Sequence, residues 1–241
     1  MKQLKMMCIK GFGKNGIKYV FQLHKIGFSW KTLSSEHCHT PTLPKSKPIW
    51  ETSYGEYCGC SVVLADFSEN TIWDDLKTYL ESIKSFPEVH SILIDVTPGV
   101  QSPHLINHFF SCLYIDETDK FQTVRDFIKL YADAVDRNGM LCMDINDFFL
   151  VVRGRKILSV DMFPFENMLN EAIEKASCFY IPENEYGIIY FQTSKKDESI
   201  VKEEFNAFAS FMKKSSPRAE IKLNFNYSED HYLCILQTTP I

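Results

Sequence analysis

The sequence predicts an α/β protein: a parallel sheet covered by helices on both faces, with a long amphipathic helix near the middle of the chain. Three observations predict it. Runs of buried-strand character, Cys60 to Phe67 (CSVVLADF) and Ser91 to Val96 (SILIDV), alternate with helical patterns, which is how parallel strands come to be buried on both faces. Apolar residues at Phe121, Val124, Phe127, Ile128, Tyr131, Ala132 and Val135 recur at three- and four-residue steps, the period of a helix of about four turns. The alternation then returns near the C-terminus, as strand, helix, strand and strand between Gly187 and Gln237.

Composition bounds the function classes. The chain has 241 residues, 45% of them hydrophobic, enough for a sizeable core in one large or two small domains. A net charge of -5 argues against nucleic acid or an anionic membrane as the main partner. No apolar run approaches the roughly 20 residues of a membrane span, and the opening MKQLKMMCIKGFGKNG is broken by glycine too early for a signal peptide. A cytoplasmic protein without direct membrane insertion is expected. The eight cysteines are scattered, mostly in apolar runs, which suits reduced buried thiols better than a disulfide framework.

In chain order, Gln3 to Lys10 reads as a buried strand and Gly11-Phe12-Gly13-Lys14-Asn15-Gly16 as a glycine turn. Ile17 to Ile26 follows as a helix with Ile17, Val20, Phe21 and Leu23 as its apolar positions. Strand, glycine turn and helix in that order leave backbone N–H groups at a helix N-terminus, a ready phosphate site, although such a turn is also just a tight way to reverse a chain. Lys31 to Glu56 is loop-like, with Pro41, Pro44 and Pro48 excluding a continuous helix or central strand. His37-Cys38-His39 and Cys58-Gly59-Cys60 are soft or borderline metal ligands, but their spacing fits no standard zinc pattern and no metal is expected.

Thr71 to Ser85 reads as a helix with Ile72, Leu76, Tyr79, Leu80 and Ile83 on one face, and Thr97-Pro98-Gly99 as a loop. Gly139 ends the central helix. Beyond it, Asp144 and Asp147 stand three residues apart, one turn from each other at the positive end of any helix that starts there. A short helix and a strand from Phe148 to Val160 and a helix from Met168 to Ser177 lead into the tail: strand Gly187 to Gln192, helix Ser199 to Met212, and strands Ala219 to Phe225 and His231 to Gln237. Asn226 to Asp230 reads as a hairpin turn between the last two.

Residues 132 to 147 resemble the end of the central helix and the acidic loop of the FtsZ/tubulin superfamily. Gly139, Asp144 and Asp147 match the loop pattern, and Asn138 and Cys142 depart from it. In that family the loop enters the nucleotide pocket of the next subunit and its carboxylates polarise the attacking water. Read without the family, the two acids simply cap and charge-complement a helix start. Gly11, Gly13 and Asn15, with Gly16 nearby, resemble the first nucleotide-contacting loop, with Lys14 as an intruder. Val96-Thr97-Pro98 is similar to the residues after the corresponding family strand.

The family's glycine-rich phosphate loop has no counterpart. Its slot reads Ser68-Glu69-Asn70-Thr71-Ile72-Trp73-Asp74-Asp75, without a glycine and with three acids, and the base-contacting pair falls on Phe121 and Gln122. The resemblance therefore implies a reduced FtsZ-like protein: a degenerate nucleotide-type domain over 1–115, a central helix over 116–137 and a smaller α+β domain over 138–241. It implies a bacterial cell-division or cytoskeletal protein that contacts itself or an FtsZ-type partner head to tail. No bound cofactor is expected on this reading. The alternatives are a weakly active, self-polymerising GTPase with GTP as its ligand, and an unrelated Rossmann-like binder of a small ligand.

Overall fold

The computed structural model describes residues 2–4, 7–30, 59–68, 72–84, 89–99, 109–134, 145–166, 169–176, 181, 183, 185–193, 198–227 and 230–241. The chain divides into two compact units, Met1–Tyr114 and Ile115–Ile241. No described helix is long and apolar enough to cross a membrane.

In the first unit, strands β2 (Met7–Phe12), β4 (Cys60–Ala65), β5 (His90–Asp95) and β6 (Ser111–Tyr114) pair in parallel in that order. Every residue of β4 is buried, as a central strand covered on both faces requires. Helix α2 (Ile72–Lys84) lays Ile72, Leu76 and Leu80 against Val63, Ala65 and Leu93. Full burial of each such side chain contributes about 1.5–3 kcal/mol. Helix α1 (Gly13–Lys25) follows β2 directly, and the short strands β1 (Lys2–Leu4) and β3 (Phe28–Trp30) pair in parallel.

Several sequence expectations change here. Gln3 to Lys10 is two strands, because β1 pairs with β3 while β2 pairs with β4. The glycine turn is absorbed into its neighbours: Gly11 lies within β2, and Gly13 and Gly16 belong to the first turn of α1. The helix is present, but its apolar positions do not share one buried face: Leu23 is buried while Ile17 is 47% and Phe21 69% exposed. Strand β6 lies in a stretch, Leu105 to Tyr114, whose apolar run by itself assigns no element type. Cys8, Cys60, Cys112 and Cys234 are buried thiols rather than disulfides, and the His37–His39 cluster lies outside the described residues.

The second unit holds a mixed sheet in the order β7 (Gly154–Pro164), β10 (Tyr232–Pro240), β8 (Tyr186–Thr193) and β9 (Glu220–Tyr227). Strand β10 runs antiparallel to both neighbours, and β8 pairs in parallel with β9. The expected hairpin is therefore absent, because β8 stands between β9 and β10. Helix α6 (Glu198–Ser215) provides the crossover that a parallel β8–β9 pair needs, with Phe208 and Met212 in a core shared with α5 (Leu169–Lys175).

The central helix α3 (Lys120–Ala134) is buried along most of its length. Phe148 of α4 (Ile145–Val152) packs against its Phe127 and Tyr131 rings, at centroid distances of 5.4 and 5.1 Å.

Candidate functional site

The β2–α1 junction is built by close backbone approach. A Cβ at Gly11 would overlap the carbonyl oxygen of Gly16, one at Gly13 that of Asp66, and one at Gly16 that of Leu64. Gly13 also has φ +70, a conformation that favours glycine. The glycines thus let the first turn of α1 sit against the end of β4. Their function here is packing, and the group they bring within reach is Asp66.

Asp66 is fully buried at the carboxyl end of β4. Its Oδ2 accepts the backbone N–H of Asn15 at 3.0 Å and the Asn15 side-chain amide at 2.7 Å. Its Oδ1 accepts the Ser68 N–H at 3.1 Å and the Ser68 hydroxyl at 2.6 Å. Burial pushes this carboxyl up, but the hydrogen bonds from Ser68 and Asn15 outweigh it and hold the group below its ordinary value. At neutral pH an ionised carboxylate therefore occupies donors at the N-terminus of α1.

The neighbouring strand ends are tied down in the same way. The Asp66 N–H donates to the Phe12 carbonyl at 2.9 Å, the Phe67 N–H to Thr97 Oγ1 at 2.8 Å, and the Thr97 N–H to Asp95 Oδ1 at 2.8 Å. This is the carboxyl edge of a parallel sheet, where open α/β folds place ligands. Asp74 and Asp75 stand exposed in the first turn of α2, adding charge at a second helix N-terminus.

The acidic-loop residues belong to the second unit. Asp144 and residues 135–144 lie outside the described residues. Asp147 sits in the first turn of α4, with its side chain 40% exposed, and pairs with Lys222 of β9 at 3.4 Å. Lys222 also pairs with Glu220 at 3.2 Å. Two residues along β9, on the same face, Asn224 donates to the Ala134 carbonyl at the end of α3 at 3.1 Å. One strand thus holds both helix ends that flank the loop.

A buried polar seam fixes the same end of α3. Asp133 accepts the Tyr232 hydroxyl at 2.5 Å and pairs with Lys129 at 3.1 Å, while the Tyr190 hydroxyl donates to Gln192 Oε1 at 2.7 Å. Burial, with the charge of Asp133 next, pushes the Tyr232 phenol up, so it stays a donor. Gln122, at the position expected to read a base, spends its amide on Asp126 at 2.6 Å.

No protein-family model and no curated protein matches the chain. Solved structures do. A GDP-bound monomer of CetZ1 from Haloferax volcanii superposes with a TM-score of 0.59 at 10% identity, covering 97% of this chain and 93% of that one. An empty FtsZ dimer from M. jannaschii gives 0.53 at 14% identity, and CetZ from Methanosaeta thermophila gives 0.51 at 13%, each over 76% of this chain. The fold is that of the FtsZ/tubulin superfamily. The chain spans 64% of the FtsZ and 62% of the M. thermophila CetZ.

Within the FtsZ/tubulin fold, Gly11, Gly13, Asn15 and Gly16 come together at the start of α1, and Asp147 stands at the start of α4. Sequence reasoning missed Asp66, Lys222 and Asn224. The signal for Asp66 was present: it is the one charged residue in the apolar run CSVVLADF. Nothing local pointed to the helix ends that Lys222 and Asn224 hold, since Asp147 and Ala134 lie far away in sequence.

Proposed function

We propose that this chain is an FtsZ-type protein with a degenerate GTP site that acts through protein–protein contacts of the filament kind. The observation that carries the reading is Asp66, whose carboxylate takes the Asn15 N–H at the start of α1 and so stands where a phosphate would be held. A triphosphate would have to displace this carboxylate or lie beside it, and it would meet Asp74 and Asp75 at α2 in place of glycine amides. A charge-assisted hydrogen bond from such an amide is worth about 1.5–3 kcal/mol, so a site without three of them binds several powers of ten more weakly.

Self-association is supported by a relative of the same fold whose structure is a dimer, the FtsZ of M. jannaschii. A subunit that keeps the acidic loop, with Asp144 and Asp147, and lacks a working phosphate cradle has unequal faces. Head-to-tail filaments grow only when both faces of every subunit are competent, so such a subunit caps or modulates a filament of an FtsZ in the same cytoplasm. Its carboxylates would orient water against a neighbour's terminal phosphate.

Calorimetric titration with GTP, with and without magnesium, tests the site: binding no tighter than millimolar is expected, and micromolar binding returns the chain to the weak-GTPase reading. Light scattering and phosphate release by an FtsZ from the same cell test the partner. Substoichiometric protein should alter them, and Asp144→Ala with Asp147→Ala should abolish the effect on turnover. No change at equimolar protein sinks the capping role.

A further inference from the structure

Helix α1 departs from the charge balance of the chain. The sequence carries -5 overall, yet Gly13–Lys25 contains Lys14, Lys18 and Lys25 and no acid. Screening limits the reach of exposed charge to about 8 Å at physiological salt, so the local distribution decides what this face attracts. The helix docks through a narrow stripe, Gly13, Gly16 and Leu23. At 3.6 residues per turn the opposite arc carries Lys14, Ile17, Lys18, Phe21 and Lys25 within roughly 100° of one another. Near the centre of that arc Phe21 is 69% exposed, and Ile17 beside it is 47% exposed. An aromatic ring so exposed among lysines has no packing role within the first unit.

We propose that the outer face of α1 docks on an anionic lipid bilayer, with Phe21 and Ile17 at the acyl boundary and Lys14, Lys18 and Lys25 among the headgroup phosphates. Around the helix Ile17 and Phe21 line one side of this face and Lys14, Lys25 and Lys18 the other, so that apolar residues and cations can meet the same charged plane. The choice of cation favours lipid over a protein groove. Lysine is depleted and arginine enriched at protein interfaces, and α1 has no arginine, whereas a flexible lysine stem reaches headgroups while its methylenes follow the apolar surface. The net charge argues against a membrane only if it is spread evenly, and here it is not. The proposal does not rest on the nucleotide reading, since none of these residues is among the hydrogen-bond partners of Asp66.

Flotation of the full chain with vesicles of phosphatidylcholine and phosphatidylglycerol in equal parts tests it, against phosphatidylcholine alone. Binding to the mixed vesicles alone is expected, weakening as salt rises. Lys18→Gln should weaken it about fivefold. Phe21→Ser should do so by at least a similar factor, and Lys77→Gln on the exposed face of α2 should leave it unchanged. All three positions are on the surface, so the thermal midpoint should stay that of the parent. Absence of flotation, or flotation indifferent to Phe21→Ser and Lys18→Gln, overturns the proposal. So does Phe21-dependent binding of a polyglutamate peptide without vesicle binding, which assigns the face to an acidic protein. A sedimentation coefficient that Phe21→Ser alters without lipid overturns it in favour of a second copy.

Discussion

Asp66 and Asp126 are both buried carboxylates, one in each unit, and the protein treats them in opposite ways. Asp66 has no cation among its hydrogen-bond partners, only two N–H groups, an amide and a hydroxyl, and its pKa is held down. Asp126 has Arg125 Nε at 2.9 Å and the Gln122 amide at 2.6 Å, yet burial outweighs both and its pKa is raised. The Arg125 side chain is 38% exposed, so water screens its charge, while the donors to Asp66 are fixed by backbone and helix start. Converging dipoles held in place stabilise a buried anion better than a mobile charge at the surface. That is also how a protein builds a phosphate site, and it is the basis on which the proposed function treats Asp66 as an internal substitute for one.

The largest test of the contrast is Asp66→Ala. It leaves four donors without their acceptor at the junction of β2, α1 and β4, and should destabilise the protein by about 3 kcal/mol in chemical denaturation. A loss below about 1 kcal/mol would mean that water replaces the carboxylate freely and that the site is open after all.

The pH dependence of the two groups should have opposite sign. The folded pKa of Asp66 is depressed, so its contribution is complete above the unfolded value of about 3.9 and is lost as pH falls further through the folded pKa. The folded pKa of Asp126 is raised, so its ionisation costs stability at neutral pH and the cost is relieved as pH falls through the folded value towards about 3.9. In Asp126→Asn that relief should vanish, with a change of no more than about 1 kcal/mol at pH 7. A stability–pH profile identical to the parent's above about 3.9 would contradict the assignment.

The smallest effect is expected where charge meets charge at the surface. Lys222→Ala removes a charged partner of Asp147, but the two side chains are 28% and 40% exposed, so the change in stability should be within about 0.5 kcal/mol. A much larger loss would place the Asp147 pair on the footing of Asp66 and make it structural.

The sequence by itself determined the element types wherever burial follows a short period. Strands β4 and β5, helices α2 and α3 and the strand, helix, strand, strand order of the tail were all legible, because each segment's apolar spacing reports its own burial. What only the tertiary structure decided was pairing. It put β8 between β9 and β10, turned Ile17 and Phe21 outward on a helix that docks through glycines, and set Asp66 against Asn15, 51 residues away, and Asn224 against Ala134, 90 residues away. The physical reason is range: periodicity records which side of a segment is buried or apolar, whereas the partner of a strand, or the carboxylate that fills a helix end, is chosen by groups that no local window contains.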